Sequence, residues 1–313
     1  MKLGLSIEIQ EGMSYAETLA MARAGEQLGF DTALLAEHYY PSGQPELYAS
    51  QRMSADAWVY LAGLARETQH IRLGTLVSPV TFRHPAVLAK LAATLDHVSN
   101  GRAELGIGAG WLESEHRAYG FDFPPPPRRV DLVEEQLQVI GGLWTQDPFS
   151  HVGRQYQLKD VHFTPKTVQQ PRPTLIVGGS STAERLPKLA ARYADEYVIN
   201  SPSLDQCRAA REKLDRACEA IRREPTQVKL SAFLPMTVGS TQREVEQAFA
   251  HYEAHNPQYV RMLSSRDNWV VGTPDQARGR LTQLAEAGVD RALLSVNCEL
   301  HREMLPLLGT LET

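Results

Sequence analysis

The chain has 313 residues, 42% hydrophobic, 22% charged and 7% aromatic, an ordinary globular composition that leaves room for one large α/β barrel or two smaller domains. Lys and Arg number 32 against 37 Asp and Glu, so a net charge of -5 offers no positive field to a phosphate backbone and excludes nucleic acid as the main partner. Cys207, Cys218 and Cys298 are too widely spaced for CxxC chemistry and odd in number, which argues against a disulfide framework or a zinc ribbon and favours the cytoplasm.

Met1 leads into the alternating segment LGLSIEI, where Glu8 and Glu11 interrupt any signal-peptide apolar region. No uncharged apolar run reaches the roughly 18 residues of a membrane span. From there, short apolar runs alternate with longer amphipathic segments. The strands predicted are Lys2 to Glu8, Thr32 to Glu37, Ile71 to Val77, Ala103 to Ile107, Thr174 to Val177, Glu196 to Ile199, Lys229 to Leu234 and Arg291 to Val296. Helix starts carry capping boxes: Ser14 with Glu17, Ser181 with Glu184, Ser203 with Gln206, Thr241 with Glu244, and Thr273 with Gln276, the last followed by Pro274. Gly29, Gly101 and Gly288 sit where a left-handed C-terminal cap is needed. Eight strand–helix repeats predict a parallel sheet closed into one (β/α)8 TIM barrel over residues 1–313, with an open doubly wound sheet as the rival. Gly110 to Arg128, Thr145 to Arg172 and His255 to Val271 lack a sustained helical period. They read as insertions after strand four, before strand five and before strand eight.

In such barrels the site lies at the C-terminal ends of the strands. That rule selects Glu37 and His38, Val77 and Ser78, the run GIGAGW, the run GGSST, and Asn200. Trp111 stands where the dinucleotide fingerprint needs a third glycine after Gly106 and Gly108, so that fingerprint fails. The run permits either close approach to the backbone or a tight turn. Gly178, Gly179, Ser180 and Ser181, read as a turn feeding a capped helix, offer amides and a positive dipole end to an anion; the alternative is an ordinary strand-to-helix turn. His38, with Glu37 as a neighbouring carboxylate, is placed to exchange a proton near neutral pH. Glu113, Glu115 and His116 read as a charged helical turn, and His251 and His255 lack the H-E-x-x-H order, so no metal site is expected.

The stretch Ile71 to Gly120 resembles the luciferase-like oxidoreductases, and within them the branch assigned to the deazaflavin coenzyme F420. The similarity continues through Leu132 to Trp144, the IVGGSS turn, Ala191 to Asn200, and Val270 to Asp290. The resemblance implies a (β/α)8 barrel, a homodimer, and a non-proline cis peptide between Leu76 and Val77 against the coenzyme ring. It also implies a phosphate seat at Ala109, Gly110, Gly178 and Gly179, with Gly108 and Ser180 beside it, and ring or substrate contacts from Glu37, His38, Ser78 and Asn200. Trp111, Tyr39, Tyr40 and Phe82 are candidates for the substrate pocket or for rim packing. The sugar-phosphate dehydrogenases of this branch carry a glutamate at Trp111 and a tryptophan at Ser42, so that specificity is not carried over. Many relatives have Asp at Glu37.

Three functions follow as expectations: hydride transfer between coenzyme F420 and a small organic substrate with His38 moving the proton; an FMN-dependent monooxygenase fed by a partner reductase; or a catalytically silent coenzyme-binding protein. In the second, His255 to Val271 would serve as a lid carrying Arg261 and Arg266 as anion-binding candidates.

Overall fold

The computed structural model describes residues 1–40, 54–255, 265–297 and 299–308. Ser42, Arg261, Cys298 and most of the predicted lid lie outside the described residues, as does the side chain of His255. The strands in chain order are β1 (Lys2–Ile7), β2 (Thr32–Leu35), β3 (Arg72–Pro79), β4 (Ala103–Gly108), β5 (Phe149–Val152), β6 (Gln157–Val161), β7 (Thr174–Gly179), β8 (Glu196–Asn200), β9 (Lys229–Val238), β10 (Val270–Gly272) and β11 (Arg291–Val296). Eight of them pair in parallel in the order β1-β2-β3-β4-β7-β8-β9-β11, and β11 pairs back onto β1, which closes the barrel. All eight predicted strands are these eight.

Two elements were not anticipated from local pattern. The Thr145 to Arg172 insertion contains the antiparallel hairpin β5–β6, whose exposed strands lack a clear apolar face. The three-residue β10 extends the sheet by pairing with the far end of β9. The insertion after strand four is also more regular than expected: following α1 (Tyr15–Gln27), α2 (Ala57–Glu67) and α3 (Pro85–Val98) in the chain, it holds a two-turn helix, α4 (Glu113–Tyr119).

Ser14–Glu17, Ser203–Gln206 and Thr273–Gln276 form capping boxes. Thr241 caps the amide of Glu244, while the Glu244 carboxylate takes the amide of Ser240 instead of that of Thr241. Ser181 caps nothing. The helix after β7 begins only at Leu186, with Pro187 in its first turn, and Glu184 is drawn to Lys213 Nζ at 2.6 Å. Gly29, Gly101 and Gly288 adopt positive φ values of 77°, 84° and 89°, as their positions after helices require.

Strand alternation sorts the barrel interior into layers. At the base, Arg291 bridges Glu104, Glu196 and Asp31, with Nη2 2.7 Å from Glu196 Oε2 and Nη1 3.1 Å from Asp31 Oδ2. Arg72 Nε reaches Glu104 Oε1 at 2.7 Å. Above them Leu34, Ile176, Val198 and Leu293 form a separate apolar cluster inside the barrel, each burial contributing about 2 kcal/mol. The larger apolar core lies between the strands and the surrounding helices. Over the middle layer the inward positions turn polar, and the mouth begins.

Candidate active site

His38 follows β2 at the C-terminal mouth. Its expected partner was the adjacent Glu37, yet alternation along the chain turns these two side chains apart. His38 Nδ1 instead lies 2.8 Å from Glu115 Oε1, and the Tyr39 amide donates to Glu115 Oε2 at 3.1 Å. Glu115 is therefore not part of a solvated helical turn: it is 1% exposed, delivered over the mouth by α4. Beside it His116 is fully buried, with Nε2 2.6 Å from Thr81 Oγ1 and Nδ1 2.8 Å from the Leu112 carbonyl. Burial disfavours the His38 imidazolium, but the hydrogen bond and charge of Glu115, with Glu8 and Glu11 behind, more than offset it and raise the His38 pKa above its ordinary value. With Nδ1 committed to Glu115, Nε2 is the nitrogen left for a substrate.

Glu37 has other work. Its carboxylate, 1% exposed, pairs with Arg83 through one oxygen and accepts from Ser78 Oγ through the other, with Trp58 Nε1 3.3 Å away. Burial pushes its carboxyl upward, and Arg83 and Ser78 pull it down. Arg83 Nη2 also donates to Tyr39 Oη at 2.7 Å and to Asp56 Oδ2 at 3.0 Å. Glu37 and Ser78 thus brace the ends of β2 and β3 against each other.

The peptide between Leu76 and Val77 is cis, at a register shift between Thr75 and Ser78 in the β3–β4 ladder. Val77 projects across the neighbouring strand ends. A Cβ at Gly108 would lie 2.5 Å from Val77 Cγ2, and one at Gly178 would lie 2.9 Å from Val77 Cγ1. Glycine is required at these positions because Val77 fills the space a side chain would need. Gly179 is crowded differently, by Tyr197 Oη and Leu186 Cδ1 at 2.5 and 2.9 Å from its would-be Cβ. Of the glycines at these strand ends, Gly110, with φ of 75°, is the one needed for its backbone conformation.

Around this ridge the strand ends open to solvent. Leu76, Val77, Ala109, Gly110, Gly178 and Gly179 are half-buried and Ser180 and Asn200 exposed, whereas the strand residues beneath them on β4, β7 and β8 are nearly all buried. β3, β4, β7 and β8 are consecutive in the barrel, so these residues form one continuous arc with an apolar floor and a rim of backbone amides and short polar side chains. That arc suits a planar ring system with an anionic tail. No group of three or more His, Cys, Asp or Glu among the described residues is placed to hold a metal ion.

The sequence profile of luciferase-like monooxygenases matches residues 1–291. The chain belongs to that family. Among curated relatives, the luciferase-like chain is 28% identical to an FMNH2-dependent dimethylsulfone monooxygenase of Pseudomonas putida, over 93% of this chain and 87% of that protein. It is 30% identical to an F420-dependent glucose-6-phosphate dehydrogenase of Amycolatopsis mediterranei, over 56% of this chain and 50% of that one. The crystal structure of monooxygenase RslO1 from Streptomyces bottropensis superposes with a TM-score of 0.84 at 23% identity, covering 99% of this chain and 98% of that chain, which shows a common fold. The protein is accordingly a luciferase-like oxidoreductase, from a family with both F420-dependent and FMN-dependent members.

In this luciferase-like barrel the aromatic candidates separate. Tyr39 stacks on Phe82 at 5.1 Å, Phe82 packs on Phe121 at 4.9 Å, and Tyr119 lies 5.5 Å from Tyr39, so these rings anchor α4 over the mouth. Trp111 is different: 48% exposed, it meets the His38 ring edge-on at 5.6 Å. Tyr40 lies at the end of a described run, half-buried. Arg266, an anion candidate in the lid reading, is engaged with Glu246 at 3.0 Å and with the Phe249 ring at 4.1 Å. Sequence reasoning passed over Glu115, and the burial that identifies it comes from α4 folding back 77 residues after His38.

Proposed function

We propose that this luciferase-like enzyme transfers a hydride between deazaflavin coenzyme F420 and a carbonyl or alcoholic carbon of a small organic substrate. The observation that carries the reading is the His38–Glu115 pair, in which a buried carboxylate holds Nδ1 of a half-buried histidine at 2.8 Å and leaves Nε2 for a substrate. When bound, the coenzyme would supply the hydride chemistry. The chain's own residues do the rest. Ala109, Gly110, Gly178, Gly179, Ser180 and Asn200 would hold the anionic tail and ring edge, and Leu76 and Val77 would support the ring face. In the reducing direction His38 Nε2 gives its proton to the substrate oxygen; in the oxidising direction it takes one from the substrate hydroxyl, and Glu115 stabilises the imidazolium either way. Trp111 shelters the histidine and limits how a substrate approaches it.

A second reading, an FMN-dependent monooxygenase served by a partner reductase, is favoured by the relative of that kind that spans most of this chain. Equilibrium titration with oxidised F420 and oxidised FMN separates the two. Preferential F420 binding, followed by substrate-dependent oxidation of the reduced form, supports the proposal; preferential FMN binding with oxygen consumption replaces it. F420 binding without turnover on any carbonyl or alcohol panel, in a protein whose His38→Asn variant is indistinguishable, would reduce the chain to a coenzyme-binding protein.

A further inference from the structure

The arc of strand ends stops at Asn200, and the mouth continues past it along β9, β10 and β11. Phe233 on β9 is the register partner of Asn200, and the Ser201 amide donates to its carbonyl at 2.8 Å. The Phe233 ring points into the barrel, packed on the layer of Leu34, Ile176, Val198 and Leu293, and it is only half-buried, so part of it faces the mouth. The same ring packs against Tyr252 and Trp269, with the half-buried Val271 beside them. Tyr252 comes from the helix Gln242–His255 and meets the Trp269 indole edge-on at 5.6 Å. The mouth thus has an aromatic wall that the reading above does not use.

This wall carries polar atoms with nothing to bond. Trp269 Nε1, Thr237 Oγ1, Ser295 Oγ and Asn297 Oδ1 have no hydrogen-bond partner among the described residues, although none of the four residues is more than 5% exposed. Thr237 shares the Phe233 face of β9 by alternation and pairs in register with Val271, and Ser295 pairs with Pro235 on that same face. Asn297 Nδ2 lies 3.3 Å from Tyr252 Oη, so one end of that amide is engaged and the other is idle. A buried polar atom left unbonded is costly, and a group of them beside one apolar wall marks a place built to receive a partner. The indole N–H can only donate, so the partner must offer an oxygen. No charge is provided for it. His301, edge-on to Tyr252 at 5.5 Å, is pushed by burial down to about 4 and is neutral at pH 7. Arg266, over the Phe249 ring, is held by both Glu246 oxygens.

We propose that this wall is where the substrate docks, and that it selects a neutral compound with an apolar body and a second oxygen function, a carboxamide or hydroxyl, remote from the carbon that reacts. The inference rests on the function proposed above: the reacting carbon lies over the arc within reach of His38, and the rest of the molecule extends along Phe233 toward Trp269 and Asn297. The body replaces water on Phe233 and Val271. Rotation of the half-buried Phe233 ring admits the distal oxygen to the Trp269 N–H. Anionic substrates, sugar phosphates included, lose hydration at this wall and gain no counter-charge.

Three aryl ketones of one shape test it: para-acetylbenzamide, para-acetylbenzoate and para-isopropylacetophenone. Saturation-transfer NMR gives dissociation constants for the protein alone and with saturating oxidised F420 or FMN. The amide should bind about 10-fold tighter than the carboxylate. Trp269→Phe keeps a ring and removes the N–H, so it should weaken the amide by about 10-fold and leave the isopropyl ketone unchanged. Thr237→Val removes an unpartnered hydroxyl without changing shape. It should do likewise with an unchanged or higher thermal midpoint, and it decides the matter if Trp269→Phe does not fold. A carboxylate bound as tightly as the amide, equal effects of the folded variants on the two neutral ketones, or binding of none of the three overturns the proposal. Turnover carried by FMN, or unaffected by His38→Asn, overturns the function reading instead, and the binding contrasts stand apart because they need no turnover.

Discussion

At His38 the chemistry depends on which carboxylate faces which ring nitrogen. Replacing His38 with Asn removes the titrating group and leaves the arc of strand ends intact, so coenzyme affinity should survive while turnover falls by about 100-fold. Single-turnover oxidation of the reduced coenzyme checks this, and a full-speed variant would move the proton path elsewhere. Glu115→Gln keeps the shape of the pair and removes its charge. Glu115 raises the His38 pKa, so its loss should lower that midpoint and shift the limb of activity that needs an imidazolium to lower pH. An unmoved midpoint would show that Glu115 only positions the ring. The sequence pointed to His38 through its place after a strand, which is a local property. It pointed to Glu37 as partner for the same reason, and wrongly, because neighbours on an extended chain face opposite ways.

Among the elements, the end of β3 shapes the site. Val77 crosses above β4 and β7, and their glycines make room for it. Gly106→Ala should therefore damage the fold, since its Cβ would overlap the Thr75 carbonyl and press on Val77, costing about 2 kcal/mol or more in denaturant unfolding. Gly179→Asp, the substitution suggested by a phosphate seat, would collide with Tyr197 and Leu186 and so confuse folding with binding. Ser180 is exposed and avoids that difficulty. Ser180→Asp should leave the thermal midpoint within about 2 °C of the parent and weaken F420 by about 10-fold or more through repulsion of its phosphate. Equal affinity would remove the tail from this end of the arc. That glycines cluster here is plain in the sequence, but the reason for each is not: a dihedral need and a crowded neighbour leave the same letter.

Across the whole molecule, two buried features set stability. Arg291 is 1% exposed and neutralises three carboxylates at the base of the barrel. Arg291→Met should cost about 3 to 5 kcal/mol by leaving buried charge unpaired, measured by chemical unfolding at pH 7, whereas a near-neutral change would mean that water reaches the base. The second feature is a pair of opposed titrations. Burial lowers His301 from 6.5 to about 4, so the unfolded chain binds the extra proton and stability is lost as pH falls from 6.5 to about 4. Burial raises Glu8 from 4.5 to about 7, so the folded chain binds the extra proton and stability is lost as pH rises from 4.5 to about 7. Each spans about 3 kcal/mol and they oppose each other in the same window. Relative to the parent, His301→Gln should gain stability toward pH 4 and Glu8→Gln toward pH 7; parallel profiles would contradict both assignments.

Hydrophobic alternation, capping residues and glycines after helices were enough to read all eight barrel strands and four of the five helix starts predicted, because each of these depends on a few neighbouring residues. Strand order then followed from repeating one strand–helix unit, and the strand-end rule led to His38, the Val77 ridge and the glycine runs. The short exposed hairpin β5–β6 and the strand β10 escaped, since they are held by pairing and carry little pattern of their own. Tertiary structure alone decided the partners: Glu115 with His38 across 77 positions, Arg83 with Glu37 across 46, and Arg291 with Glu104 across 187. A side chain's charge state follows from burial and from what faces it, and both are set when the barrel closes. For that reason Glu8, which in sequence was only an interruption in an apolar run, became a buried carboxyl between the ends of β2 and β11.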